Sequence, residues 1–124
     1  MAVLPTAEPR ATRHTSTRAS VFAMMVMSYW EQTCALLNYG LLNEDLFFET
    51  TGEFFGVWER VKPIISQARE MFVEKNFLKN LEQAATRYEA WSETRSPGHV
   101  AAMRNYMTKM TEQQKAQTTA KAAN

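Results

Sequence analysis

The spacing of the apolar residues constrains this chain more than any other feature. In four successive segments they recur every three or four residues, which is the period of an amphipathic α-helix. The whole sequence holds only four glycines and four prolines. That is too few for the frequent turns of a β-sandwich or barrel. The sequence therefore predicts an all-α protein.

Turn and capping residues set the expected bounds of the first two helices. Helix one is predicted over residues 20–38, with Gly40 as its C-terminal stop. A second helix is expected to begin at Asn43, a good N-cap, and to continue to about Glu74. Pro63 lies inside this second segment and predicts a kink or a split there, because proline lacks an N–H and crowds the preceding turn.

The remaining segments complete a four-helix pattern. Asn76 is expected to cap a third helix that ends at Pro97-Gly98, and a fourth helix follows. Short connections favour an antiparallel bundle of four helices. Composition predicts a disordered tail over residues 1–19, one helical domain over 20–110 and a frayed tail over 111–124.

Charge is distributed unevenly along the chain, although the net charge is only +1. Residues 31–59 hold six acidic and no basic side chains, whereas residues 60–124 hold eleven basic and six acidic ones. The two regions could pair within one bundle or across two chains. Neither is basic enough, or rich enough in clustered aromatic residues, to predict nucleic-acid binding.

Cysteine content and hydropathy bear on the compartment. Cys34 is the single cysteine, so no internal disulfide argues for an oxidising environment. The apolar run over residues 21–30 is far shorter than the ~20 residues that a membrane-spanning helix needs. We therefore expect a cytoplasmic protein. An organellar transit peptide stays open for residues 1–20, which are rich in Arg, Ser and Thr.

Few side chains are arranged for chemistry. Asp45, Glu49 and Glu53 are spaced by four and would share one helical face, either as a solvated acidic stripe or as oxygen ligands of a metal. Methionine pairs three residues apart, at 24/27 and 107/110, fit copper(I) ligation less well than core packing or a partner-binding groove. No Glu-x-x-His, Cys-x-x-Cys or glycine-rich phosphate loop occurs. We therefore expect a non-catalytic protein without a cofactor.

Two Trp-Glu dipeptides, Trp30-Glu31 and Trp58-Glu59, stand 28 residues apart. Adjacent residues on a helix point about 100° apart, so each tryptophan can be buried while its glutamate lies at the edge of the core. A carboxylate at that edge favours an arginine partner, for which Arg60, Arg69 and Arg87 are candidates and Arg69 is the best. The alternative is that both glutamates face water.

The first dipeptide begins a longer pattern. Trp30-Glu31 is followed by Gly40-Leu41-Leu42 with Glu44-Asp45, then Trp58, Lys62-Pro63-Ile64 and Arg69. Over about residues 28–72 this resembles an uncharacterised bacterial domain of unknown function with an aromatic-Glu helix, a GLL-x-[DE] turn, a Trp helix, [RK]P-I and a downstream Arg. The resemblance implies a helical fold and assigns no activity. Some members of that family carry an upstream membrane segment, and none is expected here.

The sequence favours a protein-interaction or regulatory module that binds through the faces of helices one and four. Helix one is apolar nearly all round in its first half, so it is either central in the core or covered by another chain, and we expect a homodimer. A bundle that binds a small ligand or metal through Glu31, Glu49, Glu53 or the methionines is the alternative. Peripheral membrane association through residues 10–30 is a weaker third hypothesis. The candidate interaction residues are Trp30, Glu31, Trp58, Glu59, Arg69, Phe22, Met24, Met27, Met103, Met107 and Met110.

Overall fold

A computed structural model describes the backbone of residues 10–123 and the side chains of residues 17–122. All regular structure in this part of the chain is helical, which confirms the predicted all-α class. A 3₁₀ turn, Lys62–Ile64, lies between the third and fourth α-helices. The α-helices are α1 (Arg10–Asn38), α2 (Glu44–Thr50), α3 (Glu53–Val61), α4 (Ile65–Met71), α5 (Lys79–Arg95) and α6 (His99–Ala123).

The chain divides into two compact units, residues 1–85 and 86–124, and the division falls within α5. The sequence predicted a single domain over residues 20–110. The spacing of apolar residues predicts which residues are helical. It does not predict where, along one helix, the residues that contact it change. The predicted helical domain over residues 20–110 stays a prediction.

Both terminal helices are longer than the sequence predicted. α1 begins at Arg10 rather than near Ser20, and α6 continues to Ala123 instead of fraying after Met110. Once a helix is nucleated, each further residue adds one backbone hydrogen bond, so the alanine, lysine and glutamine residues beyond Met110 extend α6. The predicted tail over residues 1–9 lies outside the described residues.

The segment predicted as one helix from Asn43 to Glu74 is three α-helices. Thr51 is extended, at φ −138° and ψ 114°, and Gly52 precedes α3. Threonine loses rotamer freedom in a helix and glycine costs roughly 1 kcal/mol against alanine, so this dipeptide is a weak point. Further on, α3 ends at Val61, and Pro63 lies in the 3₁₀ turn that precedes α4.

Two predicted helix boundaries are confirmed in detail. The Asn43 side chain accepts the N–H of Leu46 at 2.9 Å and caps α2. α1 ends at Asn38, and Gly40 follows with φ +80°. The N–H groups of Gly40 and Leu41 donate to carbonyls of the last turn, at 3.0 Å each. Together they form the hydrogen-bond pair of a Schellman motif.

α4 ends in the same motif without a glycine. The Glu74 N–H donates to the Arg69 carbonyl at 2.9 Å, and the Val73 N–H donates to the Glu70 carbonyl at 3.1 Å. Val73 therefore occupies the left-handed position, with φ +52°. A β-branched residue is strained there, and its side chain is 91% exposed. Among the described residues, no packing compensates for the strain at this exposed position.

An aromatic cluster forms the centre of the first unit. The Phe54 ring lies 5.3 Å from Phe47, 6.0 Å from Phe48 and 6.2 Å from Trp30, measured between ring centroids. Trp30 and Trp58 are both buried, which confirms that each Trp-Glu pair places its tryptophan in the core. The other buried residues of this unit are Cys34, Leu37, Phe55, Ile65, Leu78, Leu81, Ala84 and Ala85.

The second unit is held by its own contacts. Tyr88, 5% exposed, stacks on Trp91 with centroids 5.9 Å apart, and the guanidinium of Arg95 lies 5.0 Å above the same indole. Glu89 on α5 pairs with Arg104 on α6 at 2.7 Å. The predicted break between these helices is confirmed, with α5 ending at Arg95 and α6 beginning at His99.

Candidate functional site

An exposed apolar stripe runs along α1. Phe22 is 69% exposed, Met25 64% and Tyr29 60%. Leu36 and Tyr39 continue the series at helical spacing and are also exposed. We call these five residues the α1 stripe. Exposed large apolar side chains in a contiguous patch, unlike isolated ones, mark an interaction surface.

A shallow groove of about 440 Å³ lies along the first half of the stripe. Its lining includes stripe residues, two residues nearer the core and one carboxylate. Val26 is half-buried, Trp30 is buried and Glu53 is exposed at the start of α3. The lining residues are Phe22, Met25, Val26, Tyr29, Trp30 and Glu53.

The all-round apolar character of α1 has a structural explanation. One face of the helix places Trp30, Cys34 and Leu37 in the core. The other face carries the α1 stripe, which the first unit leaves exposed. The sequence left open whether the helix is central or covered by another chain. In the single chain it is central on one side only.

The interaction residues predicted on the first and last helices, Phe22 and the methionines, lie in different units. On α1, Phe22 and Met24 are exposed and Met27 is half-buried. On α6, in the second unit, Met110 is exposed whereas Met103 and Met107 are half-buried. The α1 stripe holds more exposed large apolar residues than α6 does, and all five belong to the first unit.

Glu31 has a role that the sequence did not reveal. One carboxylate oxygen accepts the Leu81 N–H at 2.8 Å, and the other accepts the backbone N–H and the side-chain amide of Asn80 at 3.2 and 3.0 Å. The Leu78 carbonyl accepts the first intrahelical bond of α5, from Glu82, so Leu78 is the N-cap residue. The leucine side chain has no oxygen atom that could accept a backbone N–H. Glu31 therefore supplies the cap from α1, and its charge also suits the positive end of α5.

Two further side chains fix the start of α5 within the first unit. Arg69, on α4, donates through Nε to the Phe77 carbonyl at 2.9 Å and forms a 3.0 Å ion pair with Glu82. The amide nitrogen of Asn38, at the end of α1, donates to the carbonyl and side-chain oxygens of Asn80 at 3.1 and 3.0 Å. α1 and α4 are thus both tied to the same helix end.

The arginine predicted for the Trp-Glu pairs lies elsewhere. Arg69 binds Glu82 and the Phe77 carbonyl, not Glu31 or Glu59, so that prediction was wrong. The alternative, in which both glutamates face water, is also wrong for Glu31. A carboxylate at a core edge needs donors, and the backbone N–H groups of a helix start satisfy it as well as an arginine does. Glu59 lies 3.9 Å from Lys62, one helical turn away.

One sequence signal could have revealed this contact. No capping side chain occurs among the residues at the start of α5, Phe77, Leu78 and Lys79, and the predicted cap at Asn76 is two residues before the actual N-cap position, Leu78. A helix that starts without a local cap requires donors to be satisfied from elsewhere in the fold. Only the tertiary structure identifies Glu31 as the source.

The acidic stripe predicted from Asp45, Glu49 and Glu53 is interrupted. Asp45 and Glu49 lie on α2, whereas Glu53 begins α3 beyond the break at Thr51. The spacing of four therefore does not place the three carboxylates on one helical face. Among the residues that the structure describes, no group of three or more His, Cys, Asp or Glu side chains is placed to hold a metal ion.

No helix over residues 10–123 combines the length and the apolar character needed to cross a membrane.

Comparison with known proteins identifies a family and no activity. No curated protein and no solved structure gives a significant match to the chain. A family profile described as a domain of unknown function, DUF4760, matches residues 6–88. The match covers the first unit from residue 6 onward and ends three residues after it. It also includes the Trp30–Arg69 pattern, and it confirms the resemblance to an uncharacterised helical family. The chain therefore belongs to the DUF4760 family of domains of unknown function.

Proposed function

We propose that the first unit is a non-catalytic protein-interaction or regulatory module, and that its binding surface is the α1 stripe. The exposure of Phe22, Met25 and Tyr29 carries this proposal. Each could have been buried by the fold, because α1 has apolar residues on every side in this region. Large aromatic and methionine side chains are also the types enriched at protein interfaces.

The rest of the first unit supports a fixed presentation of this surface. The opposite face of α1 is buried, and Glu31 and Asn38 tie the helix to the start of α5. A binding surface on a helix held in this way loses little conformational entropy when a partner binds. The exposed part of α6 that carries Tyr106 and Met110 stays a second predicted binding face. The antiparallel four-helix arrangement likewise stays a prediction.

The observations favour a protein partner over the two other hypotheses. Glu31, one of the proposed ligands, already has three hydrogen bonds to α5, and Glu49 and Glu53 lie on different helices. A membrane surface is usually anionic. Residues 10–30 are basic and would be attracted to it, but residues 31–59, which contain the last eight residues of α1 and the groove carboxylate Glu53, carry six acids and no base and would be repelled.

Photo-crosslinking in cells that express the protein tests this function. A photoreactive residue replaces Met25 in one variant and Gln67, an exposed polar position on α4, in the control. We expect protein adducts of defined mass from position 25 and few from position 67. Equal labelling from both positions, or none from either, contradicts the proposal. Adducts to lipid alone at position 25 replace it with membrane association.

A further inference from the structure

The α1 stripe has the period of a coiled coil. In a heptad written a to g, Phe22, Tyr29 and Leu36 fall at a, while Met25, Gln32 and Tyr39 fall at d. Five of these six positions are apolar, and all six are exposed. The average repeat is 3.5 residues, which is the spacing that keeps one face of a helix against a second helix. The stripe extends over roughly 25 Å at 1.5 Å per residue.

The residues beside the stripe suit an identical helix. The flanking e and g positions are occupied by Val26, Ser28, Thr33 and Ala35, which are uncharged and mostly small. Two copies of α1 can therefore approach without like-charge repulsion. An isologous contact needs one self-complementary surface, and a heptad stripe provides it.

The exposed area is also of the right order. Phe22, Tyr29 and Tyr39 are 69%, 60% and 82% exposed. Since an aromatic side chain buries 150–250 Å², these three rings alone offer roughly 300–500 Å². Met25 and Leu36 extend this apolar surface towards the about 800 Å² per partner of a stable interface.

Charge determines the orientation. Arg18, exposed on α1, occupies the d position one heptad before Met25, so a parallel pair would place two Arg18 side chains against each other. Residues 10–30 hold three arginines and no acid, whereas Glu44 and Asp45 follow closely after α1. An antiparallel pair brings the basic start of one helix to the end of the other. There it meets the negative end of the helix dipole and these carboxylates.

We propose that two copies of this chain associate through an antiparallel α1–α1 coiled-coil contact along the α1 stripe. This proposal rests on the surface assigned above and names its occupant. Arg18 of each copy faces the acidic residues Glu44 and Asp45 that follow α1 in the other. The contact covers the apolar face that the single chain leaves exposed.

Light scattering and sedimentation of the purified full chain test this proposal. We expect a particle of twice 14.2 kDa for the wild type. Met25→Lys should weaken the dimer at least roughly tenfold, equivalent to about 1.4 kcal/mol, because it places a charge within the apolar contact in both copies. Met71→Lys is the matched control. Met71 is 69% exposed on α4, so the same chemical change falls outside the stripe. Circular dichroism confirms that both variants keep their helices.

Several results would overturn the proposal. A wild-type monomer at about 100 μM, equivalent to binding weaker than about −5.5 kcal/mol, removes the second copy as occupant. Protein adducts at position 25 would then still support the proposed function with a different partner. Equal effects of Met25→Lys and Met71→Lys place the contact elsewhere. Arg18→Gln tests orientation separately. It should weaken an antiparallel dimer by removing an attraction, and a tighter or unchanged dimer contradicts the antiparallel arrangement.

Discussion

Replacing Glu31 tests whether one carboxylate on α1 holds the start of α5. Its two oxygens accept the N–H groups of Asn80 and Leu81, the second and third residues of the helix, at 3.2 and 2.8 Å. These are the donors that an N-cap side chain normally satisfies. Leu78, at the N-cap position, has no polar side chain to replace Glu31.

The expected magnitude follows from these contacts. Loss of an N-cap costs about 1 kcal/mol, and loss of a carboxylate from a partly buried helix start adds up to about 2 kcal/mol. Glu31→Ala should therefore lower the free energy of unfolding by about 2–3 kcal/mol. Glu31→Gln keeps one acceptor oxygen and loses the charge, so it should cost about 1 kcal/mol.

Urea unfolding followed by circular dichroism measures both effects as shifts of the midpoint at constant slope. The measurements are made in the Met25→Lys background, so that self-association does not contribute. Glu70→Ala, an exposed carboxylate on α4, is the control and should change stability by less than about 0.5 kcal/mol.

Hydrogen exchange gives a local measure of the same contact. The amides of Asn80 and Leu81 should lose protection in Glu31→Ala, because their acceptor is removed. Amides deeper in α5 should follow only the global change in stability. If Glu31→Ala is as mild as Glu70→Ala, or if these two amides keep their protection, the capping role of Glu31 is refuted.

Three other predictions follow from the structure, two of them with a paired comparison substitution. Val73→Gly should stabilise the chain by about 1 kcal/mol in thermal or urea unfolding, because it relieves a left-handed φ of +52° at an exposed residue, whereas Gly40→Val, at φ +80°, should destabilise by a similar amount. A loss of stability in Val73→Gly would show that the valine makes a contact in the folded protein. Arg69→Lys should cost about 1–2 kcal/mol, since lysine cannot donate to a carbonyl and a carboxylate in the same fork geometry, and an unchanged midpoint would contradict that role. Burial raises the pKa of Tyr88 above its ordinary value of 10.0, so its contribution to stability is complete below pH 10 and is lost as the pH rises towards the folded-state pKa. Tyr88→Phe should flatten that loss in unfolding measured between about pH 9 and 11, and the exposed Tyr106→Phe should not.

The start of α5 shows what a local sequence pattern can and cannot predict. The sequence correctly predicts that a helix carries Leu81, Ala85 and Tyr88, because their spacing is helical. It places the start too early, at Asn76. The actual cap comes from a residue 47 positions before Leu78, and no local pattern encodes a contact over that distance.

The candidate site likewise has features that the sequence predicts and features that it does not. The sequence predicted an interaction surface on this helix through Phe22, Met24 and Met27, whereas the exposed stripe places Met25 and Tyr29 beside Phe22. Which side of α1 faces the core could not be predicted, since apolar residues lie on all sides of its first half. Arg69 was predicted to pair with Glu31 or Glu59, but its partner is Glu82.

The sequence by itself determined the helical class, the end of α1 at Gly40, the cap of α2 at Asn43 and the break at Pro97-Gly98. Each of these depends on interactions within about four residues, where backbone geometry and capping chemistry act directly. The tertiary structure alone decided that Glu31 caps α5 and that the α1 stripe is exposed. Both depend on which distant segments meet, and that is set by how the whole core packs rather than by any one stretch of the chain.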